Sequence, residues 1–124
     1  MCIRDRVTSW GSAIGQWEPA QITAEFAILE WDITKLTVKP GVYEATLKYK
    51  AGNHGVDIDW VALLEDGTEV ARDPHHGFSG YDKDNITYRL DLRAVKSGAK
   101  YLLRASVRGK GGTDSAGDVL MLVP

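Results

Sequence analysis

The residues from Ala71 to Asp82, "ARDPHHGFSGYD", combine two adjacent histidines with aspartate, serine and glycine, the side chains from which metal sites and hydrolytic dyads are built. Asp73, His75 and His76 supply metal-ligand chemistry, and His54 is a further imidazole. Neighbouring residues on an extended chain point to opposite sides, so His75 and His76 are poorly spaced to share one zinc ion. The same letters also read as turn chemistry. Asp-Pro leaves a strand, Asp73 accepts from nearby backbone amides, and Gly77 and Gly80 adopt dihedrals that other residues avoid. A Ser79 dyad with His75 or His76 lacks any visible oxyanion hole, so the turn reading is preferred.

Other constellations meet the same test. Asp57 and Asp59, like Glu30 and Asp32, lie two residues apart and would share one face of a strand, as a two-carboxylate glycosidase needs and as any solvated sheet face also shows. "DKDN" at Asp82 to Asn85 starts like a calcium loop but lacks the fifth-position ligand, the glycine and the closing glutamate. A structural calcium held between loops would draw on Asp73, Asp82, Asp84, Asp114 and Asp118, and no other cofactor is suggested. "GKGGTDSAG" has Gly111 where a phosphate loop requires Ser or Thr after Gly-Lys. Ser79 and Ser115 both miss the glycine spacing of a nucleophile elbow. No catalytic residue is assigned.

The elements that carry these residues repeat with a period of two, the mark of half-buried strands. In "VYEATLKYK", Tyr43, Ala45, Leu47 and Tyr49 share one face and Glu44, Thr46, Lys48 and Lys50 the other. "NITYRLDLR" turns Ile86, Tyr88, Leu90 and Leu92 inward, and "KYLLRASVRG" turns Tyr101, Leu103, Ala105 and Val107 inward. "GVDIDWVALLEDG" alternates through Trp60 and is then apolar on both sides from Val61 to Leu64, which suits a strand inside a sheet; Trp60 and Tyr43 are expected in the core. Asp66-Gly67 is a hairpin turn, "AEFAILEWDI" another strand and "AGDVLMLV" the last. With turns every 8 to 12 residues or so and no helical period, the expected fold is all-β: an antiparallel two-sheet β-sandwich of about seven or eight strands.

The 124 residues suit one domain, with enough chain to bury a core without disulfide or metal. Fifteen Lys and Arg against seventeen Asp and Glu give a net charge of −2 with both signs scattered, which disfavours nucleic acid and anionic lipid as partners. No apolar run reaches the length needed for membrane insertion. "MCIRDR", Met1 to Arg6, resembles the translated remnant of a sequencing adapter at the head of a reading frame from assembled environmental DNA; it contains Cys2, the single cysteine of the chain. Residues 7 to 20 are Gly-rich and weakly patterned, so a linker is expected there, with Pro19 near its boundary and the β-sandwich module over 21 to 124. Trp10 and Trp17 would expose too much apolar surface in a free linker, so they are expected to pack on this domain or a neighbour.

"LEWDITKLTVKPGVYEATLKYKAG", with Asp-Ile-Thr before a turn and Pro-Gly-x-Tyr entering a strand, is similar to the galactose-binding-like jelly rolls attached to bacterial carbohydrate-active enzymes. "VDIDWVALLEDGTEVARDPHHGFSG" followed by "YLLRASVRGKGGTDSAG" resembles the non-catalytic C-terminal β-sandwich of bacterial family 20 glycoside hydrolases, the β-N-acetylhexosaminidases. The resemblance covers residues 20 to 124 and implies a jelly-roll module that travels with a secreted, periplasmic or cell-surface bacterial glycosidase. The catalytic acid-amide pair of that family belongs to a separate barrel domain and has no counterpart here.

Carbohydrate recognition uses a flat aromatic against the sugar face and a few convergent polar groups at a loop end. Trp17, Trp31, Phe78 and Tyr81 supply the aromatics, and His54, His76 and Asp114 the polar partners, each equally suited to packing on the parent catalytic domain. The expected function is therefore an accessory module that docks on a catalytic domain, binds glycan, or does both. A free-standing carbohydrate-binding module is the alternative, and a small hydrolase the third reading.

Overall fold

The computed structural model describes residues 11–124. The expected leader Met1 to Arg6, Cys2 and Trp10 lie outside them. Among the described residues nine strands follow in order: β1 Ser12–Trp17, β2 Ala27–Asp32, β3 Gly41–Ala51, β4 Val56–Glu65, β5 Thr68–Asp73, β6 Gly77–Ser79, β7 Thr87–Leu92, β8 Tyr101–Gly109 and β9 Ala116–Leu122. One sheet runs β1-β9-β3-β7 and the other β2-β8-β4-β5, with β6 also paired to β4. All pairings are antiparallel. The two-sheet antiparallel sandwich is the architecture expected from the patterning, and the alternation of strands between the sheets is jelly-roll order, which only the resemblance implies. Since β6 pairs with Val56 to Ile58 and β5 with Val61 to Glu65, the two short strands share one edge lane beside β4.

The period-two faces account for the core. Tyr43, Ala45, Leu47, Tyr88, Leu90 and Val119 from one sheet meet Ile58, Val61, Leu63, Leu103, Ala105 and Val107 from the other, all at 2% exposure or less. Fully burying a side chain of the Val, Leu or Phe class stabilises by about 1.5–3 kcal/mol, so this shared interior holds the sheets together.

Two expectations change. Residues 12 to 17 of the presumed linker form the edge strand β1, zipped to β9 from Ser12↔Met121 to Trp17↔Gly117. The pattern was weak because an edge strand with one exposed side needs few apolar residues; Trp17 and Ile14 carry most of its inward contact. Trp60 is half-buried rather than in the core. The pairing with β8 shifts between Ile58 and Trp60, so Asp59 is an extra residue, a β-bulge that reverses the alternation and puts Trp60 on the outer face. There the Arg72 guanidinium lies 4.1 Å from its ring centre. Tyr43 is fully buried as expected.

Candidate functional site

Of the seven aromatic and polar residues singled out in the sequence, His54, Tyr81 and Asp114 converge with exposed side chains, Phe78 and Trp17 pack against the same loops, and Trp31 and His76 lie elsewhere. At one end of the sandwich the β3–β4 loop (52–55), the β6–β7 loop (80–86) and the β8–β9 loop (110–115) come together. Asp114 joins the first and third of these. Its carboxylate accepts the Asn53 amide at 2.8 Å and the His54 amide at 3.0 Å, and the His54 Nδ1–H donates to it at 3.0 Å. The Asn53 amide first, then the imidazole, hold the Asp114 carboxyl below the usual carboxylate range. With Nδ1 taken, His54 keeps Nε2 without a partner among the described residues, and its side chain is 41% exposed.

Tyr81 stands beside this pair. Its hydroxyl donates to the Gly52 carbonyl at 3.4 Å, and the Tyr49 hydroxyl donates to the same oxygen. The two rings are tilted at 57° with centres 5.3 Å apart. Tyr49 is 8% exposed and Tyr81 76%, so a buried phenol props up an exposed one. The neighbouring Tyr81 hydroxyl, with burial adding to it, pushes the Tyr49 phenol up to about 12. Tyr49, Gly52 and Asn53 were not singled out from the sequence, where Tyr49 reads only as a core position. The fragment "YKAGNHG" gave one usable signal, glycines flanking a polar turn.

The other four residues do different work. Trp17, 1% exposed, lies over Gly117 and donates its Nε1–H to Ser115 Oγ at 3.1 Å. Trp31, 9% exposed, donates to the Gln16 carbonyl at 3.0 Å and packs on Gly15, binding β2 to β1 across the sandwich. Neither tryptophan can meet a ligand, a correction that follows from their burial. Phe78 packs against Gly55 and Gly80, and its backbone pairs with Asp84 in both directions at 2.8 and 2.9 Å, so it closes the β6–β7 loop on itself. His76 is exposed but faces Asp59 at 3.2 Å beside Phe26 and Arg108, away from the three-loop cluster.

Within "ARDPHHGFSGYD", Asp73 and His75 do turn chemistry. Asp73 Oδ1 accepts from the His75 amide at 3.2 Å and faces His75 Nδ1 at 2.7 Å, while Oδ2 accepts the Arg89 amide at 2.9 Å. His75 Nε2 faces the Asn85 carbonyl at 2.8 Å, and its ring stacks on Tyr88 at 3.9 Å. Ser79 is fully buried and accepts the Tyr49 amide, and Ser115 is fully buried against Trp17, so neither hydroxyl reaches solvent as a nucleophile would.

The calcium set does not assemble. No group of three or more His, Cys, Asp and Glu side chains is arranged to hold a metal among the described residues. Asp73 and Asp114 spend their oxygens on loop amides and histidines, and Asp118 pairs with Lys50. The paired carboxylates are engaged by neighbouring side chains or amides. Asp57 faces Arg108, Glu30 faces Arg104 and Asp32 caps the Thr34 amide.

Comparison with protein-family models and with curated proteins finds no match for the chain.

Proposed function

We propose that the protein is a non-catalytic, carbohydrate-contacting accessory module of a bacterial glycoside hydrolase acting outside the cytoplasm, with Tyr81, His54 and Asp114 as its ligand-facing residues. The observation that carries this reading is the exposed Tyr81 ring, set by Tyr49 and Gly52 beside a His54 whose Nε2 has no partner among the described residues. A sugar ring offers a C–H face that packs on a flat aromatic and hydroxyls that bond to imidazole and carboxylate. The resemblance of the strand and loop text to family 20 accessory sandwiches supports the parent enzyme class. The engagement of these carboxylates by cations, an imidazole and an amide supports a role without catalysis.

Calorimetric titration of the chain with chitooligosaccharides and a panel of neutral glycans tests the proposal. Binding is expected for at least one, weakened about tenfold by Tyr81→Ala, which removes one aromatic contact. His54→Ala should weaken it further, with His76→Ala neutral. Flat titrations across the panel, or affinity indifferent to Tyr81→Ala, count against the site. Turnover of aryl glycosides by the chain would overturn its non-catalytic assignment.

A further inference from the structure

The opposite end of the sandwich is built from different material. The β2–β3 loop, residues 33–40, and the β7–β8 loop, residues 93–100, contain Lys35, Lys39, Arg93, Lys96 and Lys100 and not one Asp or Glu. Elsewhere the long cations are mostly consumed: Lys50, Arg72, Arg89, Arg104 and Arg108 each pair with a carboxylate. Here Lys96 alone makes an ion pair, with Asp66 at 3.7 Å; Lys35 and Lys100 act on the Asp32 carboxyl only at longer range, and Lys39 and Arg93 have no ion-pair partner among the described residues. Between the loops lies a groove of about 790 Å³ lined by Thr34, Thr37, Val38, Arg93, Val95 and Lys96. Val38 is 71% exposed at its edge, and the exposed Val123 and Pro124 lie at the same end, where Pro124 meets Gly41 at the start of β3.

The polar groups of this groove are already engaged. Thr37 Oγ1 donates to the Ile33 carbonyl, Thr34 Oγ1 accepts the Tyr101 amide, and the Tyr101 hydroxyl accepts from the Lys96 amide and donates to Glu65. No exposed aromatic lines it. A sugar would find neither stacking ring nor free directional partners. What remains free is apolar surface with Arg93 and Lys96 at the groove and Lys35, Lys39 and Lys100 elsewhere on its two loops, which suits carboxylates flanking aliphatic side chains. The ten residues before Gly11, with Arg4 and Arg6 against Asp5, have the wrong sign to fill it.

We propose that this end is a docking face for an acidic protein segment bearing aliphatic side chains, a partner site separate from the Tyr81 end and independent of what binds there. The test is amide chemical-shift mapping of the full chain titrated with a synthetic peptide of repeated Glu-Glu-Leu. Shifts should concentrate in 33–40 and 93–100 and fade with added salt, because exposed charges are screened. Arg93→Glu combined with Lys96→Glu should weaken binding about tenfold or more, and Lys83→Glu, at the other end, should leave it unchanged. The Glu-Glu-Ser peptide should bind severalfold more weakly, because the buried aliphatic contact is gone. Lys39→Glu combined with Lys100→Glu repeats the test if the first pair impairs folding. Absence of shifts in these loops, binding that survives both reversals, or equal binding of the Glu-Glu-Ser peptide overturns the proposal. Tighter binding of a heparin oligosaccharide at the same loops would reassign the face to an anionic glycan.

Discussion

Tyr88 carries its hydroxyl into the core, where it has no hydrogen-bond partner among the described residues. Burying a hydroxyl without a partner costs about 1–3 kcal/mol, so Tyr88→Phe is expected to leave the fold intact and raise stability by about 1 kcal/mol, read from urea unfolding midpoints. Asp73 has the opposite balance. Its side chain is 17% exposed and each oxygen is used by a backbone amide or by His75, so Asp73→Ala strands several donors and should cost about 2–3 kcal/mol in the same assay. That Asp73 would serve a turn was legible from Asp-Pro. That His75 would stack on Tyr88 and reach Asn85 was not, because ten residues separate the imidazole from its carbonyl partner and a folded loop must bring them together. The candidate site was legible in the same partial way. Residue type nominated His54, Tyr81 and Asp114, yet it nominated Trp17 and Trp31 equally, and only burial separates the two sets.

At the scale of elements, the strongest local signal was the Asp66-Gly67 turn. Both residues take positive φ, 49° and 84°, as a tight hairpin between right-twisted strands requires. A side chain at Gly67 would meet nothing within 4 Å, so Gly67→Ala carries only the conformational cost, expected at about 1 kcal/mol of lost thermal stability without change in the core. The inward faces of β3, β7 and β8 followed from alternation, since those strands border one shared core. Alternation failed for Trp60 because a single inserted residue, Asp59, reverses every face that follows it, and the need for a bulge is set by pairing with β8 rather than by local text. It failed for β1 for a related reason: edge strands borrow their definition from the neighbour they pair with, here β9.

For the molecule as a whole, the depressed carboxyls set an acid limit. Asp32, Asp73 and Asp114 all titrate below the ordinary carboxylate value of about 3.9, so they support the fold fully above that value. The support is lost as pH falls through the lower folded values. The Tyr49, Tyr88 and Tyr101 phenols are raised, by hydrogen-bonding neighbours or by burial, so their contribution is full below the ordinary value of about 10 and lost as pH climbs above it. A stability plateau between about pH 4 and pH 10 is therefore expected in urea unfolding, with the acid decline shallower in Asp73→Asn than in the parent chain. The two ends also differ in kind, one carrying Tyr81, His54 and Asp114 and the other Lys35, Lys39, Arg93, Lys96 and Lys100, of which Lys96 alone has an ion-pair partner among the described residues. By itself the sequence determined that the chain is an all-β sandwich and which faces of its main strands lie inside, because period-two burial and turn residues act over a few positions. Only the tertiary structure decided the jelly-roll strand order, the outward Trp60 and the meeting of His54, Tyr81 and Asp114, because each depends on pairing or closure between segments far apart in the chain. The same closure explains the Asp73–His75 part of "ARDPHHGFSGYD", whose hydrogen bonds fasten one edge of the sandwich to β7 and the loop before it.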